Sequence, residues 1–131
     1  MRIWLFIGAL NGALAVTLGA AGTHALDPSL ADAKRAMFET AVHYHFIHAL
    51  ALLAVAALSP HVSPDSGGRR LAAAGAALTI GIVLFCGGLY ALSAFEIASG
   101  ARIAPFGGMM LIAGWLLLAS VAFTRKTRRF Y

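Results

Sequence analysis

Charged side chains divide this sequence into four long apolar stretches, residues 3–26, 40–64, 71–95 and 103–124, none of which holds Lys, Arg, Asp or Glu. Each is 22–25 residues long, and a hydrocarbon core about 30 Å thick takes roughly 20 apolar residues of helix to cross. The pattern predicts an all-α membrane protein: a four-transmembrane-helix bundle, one domain over residues 1–131, with spans near 4–21, 40–58, 71–95 and 104–124.

Finer patterning sets expectations for each helix. In the first, Gly8, Gly12, Ala15, Gly19 and Gly22 recur at spacings of four and three, which keeps them on one face where a second backbone can approach. Asn11 flanks that stripe and needs a partner inside the bundle. Asp27-Pro28 reads as a cap and first position of the second helix, which would then cover residues 28–58. Its opening turns, with Leu30, Lys34, Arg35, Phe38 and Glu39, suit the membrane interface. Residues 59–70, with Pro60, Pro64, Gly67 and Gly68, form a polar loop. The third helix carries Gly75, Gly81, Gly87, Gly88 and Tyr90 and is broken at Ser99-Gly100. Pro105-Phe-Gly-Gly108 then opens the fourth, which ends at Thr124.

Composition agrees: 60% of residues are hydrophobic and 11% charged, against about 25% charged in soluble domains, and the mean hydropathy is +0.82. A water-facing globule is excluded. The net charge of +5 changes the picture only through its placement. Arg2, Arg69, Arg70, Arg125, Lys126, Arg128 and Arg129 fall at the termini and middle loop, whereas Lys34, Arg35 and Arg102 fall in the first and third loops beside Asp27, Asp32, Glu39 and Glu96. This positive-inside asymmetry places both termini in the cytoplasm and makes the basic tail an anchor on anionic lipid, not a nucleic-acid site. The expected partner is the lipid bilayer, with a second copy or another membrane protein alongside. The first span exceeds a signal-peptide core and lacks a clean small-residue cleavage site, so it reads as a retained helix.

Candidate chemistry is sparse. His24 closes the first span, and His43, His45 and His48 fall near the outer end of the second. At 100° per residue His45 and His48 lie about 60° apart and His43 about 140° or more from either, so one helix cannot aim all three at one ion. His45 and His48 with His24 as a third ligand remain a steric option for metal or haem iron, which accept imidazole. Hydrogen bonding within the bundle is the plainer reading, with His24, Tyr44 and His48 as a polar cluster and no metal or other cofactor. Glu39 and His43 form an i, i+4 surface pair, Glu96 pairs with Arg102 across the third loop, and Cys86, the single cysteine, packs in mid-span. No nucleophile elbow, phosphate loop or paired inward carboxylates appear, so no enzyme is expected.

Five ordered motifs extend this. Gly19-Ala-Ala-Gly-Thr-His-Ala-Leu26 is followed by Thr40-Ala-Val with Tyr44 and His48-Ala-Leu-Ala-Leu52, then Gly87-Gly-Leu-Tyr90, Pro105-Phe-Gly-Gly108 and Ala113-Gly-Trp115. Together they resemble the domain-of-unknown-function 423 family of small bacterial inner-membrane proteins, related to transmembrane protein 256. The resemblance implies a four-helix integral membrane protein and brings no activity with it. His24 and His48 lie inside these motifs; His43 and His45 lie outside them. The expected role is a non-enzymatic scaffold, accessory subunit or lipid-organising oligomer. Alternatives are a small transporter or channel formed by an oligomer, and a haem-, metal- or quinone-binding redox subunit.

Overall fold

The computed structural model describes residues 1–124; the basic tail expected to meet anionic lipid (Arg125, Lys126, Arg128, Arg129) lies outside the described residues. Among the described residues, four helices are long and apolar enough to cross a membrane: α1 (Arg2–His24), α2 (Asp32–Leu58), α3 (Ser66–Phe95) and α4 (Ser99–Ser120). Short 3₁₀ turns, Ser59–His61 and Val121–Phe123, continue α2 and α4.

α2 is the centre of the bundle. Its buried residues include Phe38, Ala41, His45, His48, Leu52 and Val55, spaced by three and four so that one broad stripe meets the other helices. α1 packs antiparallel on it. A Cβ placed on Gly8 would lie 2.9 Å from Leu53 Cδ2, one on Gly19 3.3 Å from Val42 Cγ1, and one on Gly22 2.7 Å from Phe38 Cε1. Ala15 is 1% exposed. Gly8, Ala15 and Gly19 thus pack against protein, as their spacing predicts. Gly12 does not: a Cβ there meets nothing within 4 Å. It borders an open hollow with Ala13 and Val16 on α1 and Phe46, Ala49 and Leu50 on α2, and no side chain crosses to fill the space beside it.

α3 and α4 meet along a tighter seam built on glycines seven residues apart: Gly81 and Gly88 on α3, Gly100, Gly107 and Gly114 on α4. A Cβ on Gly100 would stand 2.2 Å from the Gly88 carbonyl oxygen, and one on Gly107 2.2 Å from the Phe85 backbone nitrogen. Only the absence of a side chain permits backbones this close. A seven-residue repeat is the period of a left-handed helix pair. Opposite Gly107, α3 widens into a π-helical turn over Ile82–Cys86, an irregularity with no breaker in the sequence to announce it.

The loops depart from expectation in three places. Asp27 does not cap α2; its Oδ1 accepts hydrogen bonds from the Ser29 N–H (2.8 Å) and hydroxyl (2.7 Å), a local turn that delays the helix to Asp32. Phe38, expected at the interface, is 4% exposed and packs on Tyr90 with ring centroids 5.1 Å apart. Glu96 pairs with Lys34 of α2, not with Arg102. It adopts a left-handed conformation (φ 55°) at the end of α3. That turn lets α4 begin at Ser99, so Pro105 lies inside α4 instead of opening it.

Candidate functional site

Two histidines form the polar core. On the α2 stripe, His45 falls between Ala41 and Ala49 and His48 between Ala41 and Leu52; each histidine is 4% exposed. The Lys34–Glu96 pair marks one rim. At 1.5 Å per residue His45 lies roughly 16 Å from Lys34 along the helix. Both imidazoles are buried in the bundle, about two to three helical turns beyond the Lys34–Glu96 pair along α2.

His45 joins three helices. Its Nδ1 is 3.0 Å from the Tyr90 hydroxyl on α3, and its Nε2 is 3.0 Å from Asn11 Oδ1 on α1. Asn11 Nδ2 donates to the Ile7 carbonyl at 2.8 Å, which orients the amide with its oxygen toward His45. An oxygen there accepts, so His45 carries its proton on Nε2 and Nδ1 accepts from Tyr90. The bonds run in one direction, Tyr90 to His45 to Asn11 to the Ile7 carbonyl.

His48 ties α2 to α4 with the opposite tautomer. Its Nδ1–H donates to the Tyr44 carbonyl at 2.6 Å, and its Nε2 accepts from Trp115 Nε1–H at 3.0 Å. The indole is a donor only and the carbonyl an acceptor only, so the neutral Nδ1–H form is specified from both sides. The Tyr44 ring lies stacked 5.8 Å from the imidazole and the Trp115 ring edge-on at 5.9 Å. All four ring nitrogens of the two histidines thus have protein partners. Among the described residues no buried side-chain nitrogen or oxygen lacks a hydrogen-bond partner.

The structure brings together Tyr44 and His48 but leaves His24 out. His24 is exposed at the end of α1. Because Gly22 stands beside Phe38 and Gly19 beside Val42, antiparallel pairing puts His24 opposite about residue 36, roughly 18 Å along α2 from His48. α1 continues to His24 without folding back, and that is why the expected approach fails. Glu39 and His43 are not joined by a hydrogen bond or ion pair; both instead border a hollow at the rim. Asn11, His45, Tyr90 and Trp115 complete the core; the expected polar cluster held none of them, although His45 was weighed as a ligand beside His48. A legible signal existed for His45, which falls on the same helical stripe as Ala41, Ala49 and Leu52.

Comparison with known proteins fits this architecture. A family profile described as "Protein of unknown function (DUF423)" matches residues 18–108. The chain is 38% identical to the UPF0382 membrane protein YwdK of Bacillus subtilis, over 93% of this chain and 97% of that one. It is 30% identical to the UPF0382 inner membrane protein YgdD of Escherichia coli, over 97% and 94%. A UPF0382 membrane protein of Staphylococcus epidermidis is 36% identical over 90% of this chain and 93% of its own. No solved structure matches the chain significantly.

Proposed function

Because this chain belongs to the DUF423, or UPF0382, family of membrane proteins, whose description carries no activity, we propose its role from its own core: a non-enzymatic membrane protein serving as scaffold, accessory subunit or lipid organiser. The observation that supports this reading is the saturation of both buried histidines. Each imidazole nitrogen is engaged by a protein donor or acceptor, three of them across helices and His48 Nδ1 within α2, so coordination of a metal or haem iron would first have to break one of these bonds. Neither string of bonds makes a path for protons, since both end on a backbone carbonyl within a helix. The polar groups act as ties. In a bilayer such interhelical bonds contribute on average about 0.6 kcal/mol each, and they discriminate against slipped packings because an orphaned buried group costs about 1–3 kcal/mol.

The same reading places both termini and the α2–α3 loop in the cytoplasm, supported by the distribution of Lys and Arg. The partner it implies is a second copy or another membrane protein. Affinity capture from native membranes tests this directly: a reproducible membrane-protein partner, or copies of the chain itself, is the expected result. Stoichiometric metal or a haem absorbance band in the purified protein would overturn it in favour of a redox subunit.

A further inference from the structure

Four rings line one hollow of about 420 Å³ where α2, α3 and α4 meet. They follow one another: Phe85 lies 4.8 Å from Tyr44, Tyr44 5.8 Å from His48 and His48 5.9 Å from Trp115, between ring centroids. Gly108 and Ile112 of α4 border the same space, whose volume falls in the range of about 300–1,000 Å³ occupied by small-molecule sites. Two backbone features coincide with it. Phe85 belongs to the π-helical turn Ile82–Cys86, and such turns inside α-helices are frequent at functional sites. A Cβ on Gly108 would come no closer than 3.7 Å to Phe85, against 2.2 Å from the Phe85 nitrogen for one on Gly107. Of these adjacent glycines, one closes the seam and the other leaves the hollow open.

We propose that this hollow binds the head ring of an isoprenoid quinone: a neutral, planar ring that carries carbonyl acceptors and an apolar chain. Tyr44 donates its hydroxyl to one carbonyl, the aromatic walls hold the ring, and the chain leaves past Ile112. The lining decides each part of that chemistry. No Lys, Arg, Asp or Glu borders the hollow, so a phosphate, carboxylate or ammonium would enter without a counter-charge. Three lining side chains carry N–H or O–H donors. Trp115 spends its N–H on His48 Nε2, and His48 spends its own on the Tyr44 carbonyl. The Tyr44 hydroxyl makes no hydrogen bond among the described residues and its side chain is exposed, which leaves one donor for a ligand. A bare acyl chain would leave that donor unanswered. A flat conjugated ring with a carbonyl answers it and also stacks on the walls.

Position along the helices orients the ligand. At 1.5 Å per residue Tyr44 stands roughly 15 Å along α2 from Lys34, whereas Ile112 stands roughly 20 Å along α4 from Ser99, which follows Glu96 by one short turn. The donor therefore lies at the end of the hollow nearer the Lys34–Glu96 pair, and the exposed Ile112 at the end farther from it. A ligand with its polar ring toward the charged rim and its apolar chain away from it meets these residues in that order. Binding alone is proposed, with no electron transfer. It goes beyond the scaffold reading and leaves both His48 bonds in place.

Tryptophan fluorescence of the full chain in mild detergent, titrated with decylubiquinone, tests it. Trp115 stands in the wall of the hollow, and Trp4, the other tryptophan, packs beside Gly75. The expected result is saturable quenching of the Trp115 part of the emission, with one quinone bound per chain. Tyr44→Phe should weaken binding about fivefold to tenfold, the scale of one hydrogen bond. Gly108→Leu should abolish binding. Ile112→Phe narrows the same space from an exposed position and serves if Gly108→Leu does not fold. Quenching that rises in proportion to added quinone without saturating reports partition into detergent and would overturn the site. So would unchanged affinity in Tyr44→Phe or in the filled variants. Displacement of the quinone by an equal amount of phosphatidylethanolamine would overturn it in favour of a phospholipid site. Affinity capture of a protein partner is unaffected by any of these outcomes, so this proposal and the scaffold reading fail separately.

Discussion

Trp115 donates its indole N–H to His48 Nε2 at 3.0 Å, and this bond selects the tautomer that lets the other ring nitrogen donate to the Tyr44 carbonyl at 2.6 Å. One contact between α2 and α4 therefore sets the hydrogen bonding of a buried residue. Trp115→Phe leaves Nε2 without a donor. The expected cost is about 1–3 kcal/mol, read as earlier thermal aggregation of the detergent-purified protein. His48→Phe combined with Trp115→Phe should recover part of that loss, because no orphan remains. A double variant as unstable as the sum of the single ones would show that the bond is not a tie.

Asn11 and Tyr90 act on opposite sides of one imidazole. Tyr90→Phe and Asn11→Leu should each destabilise the bundle by removing one partner of His45. Members of a shared network are not additive, so the second substitution should cost less once the first is in place. Strict additivity in a thermal-stability cycle would mean that the two helices are held independently.

Glycines of similar appearance should differ sharply on substitution. Gly107→Ala puts a methyl group 2.2 Å from the Phe85 backbone nitrogen, which must push α3 and α4 apart at a cost of about 1–3 kcal/mol. Gly12→Ala meets no atom within 4 Å and should gain slightly in stability through better helix propensity. Equal effects of the two changes on melting temperature would contradict the two seams described.

Topology is tested by labelling. A cysteine at Ser66 should be shielded in intact cells from a membrane-impermeant maleimide, and one at Ala33 should react. Cys86 is 1% exposed and should give little background. The reverse pattern would place both termini outside.

Glu96 has its carboxyl pKa lowered, first by the hydrogen bond from Lys34 and then by the Lys34 charge. A lowered folded-state value means the pair is fully present above the ordinary carboxylate range near 4.3 and is lost as pH falls through the folded value. Lys34→Met should shift the Glu96 titration upward, measured by carboxylate NMR on selectively labelled protein. An unmoved titration would remove Lys34 as its partner.

Much of the architecture is written in the chain itself. Uncharged runs long enough to cross a bilayer dictate four helices, because a backbone in hydrocarbon must satisfy its own hydrogen bonds and a helix does so locally. The contact of Gly8 and Gly19 with α2 was legible for a related reason, since helical periodicity is a local property, and the family resemblance was legible in five ordered motifs. The polar core was legible only in Asn11's need of a partner and in the nearness of Tyr44 and His48. Which imidazole nitrogen meets which partner depends on how far α1 runs before turning, on Asp27 delaying α2, and on Glu96 carrying the chain back to start α4 at Ser99. These set the register between helices, and register decides that His45 meets Asn11 and Tyr90, that His48 meets Trp115, and that His24 is left at the rim. Tertiary structure also separates Gly12 from its neighbours in the stripe, since a small residue closes a seam only where the opposite helix supplies a side chain to fill it. Ala49 supplies none, and there a hollow opens.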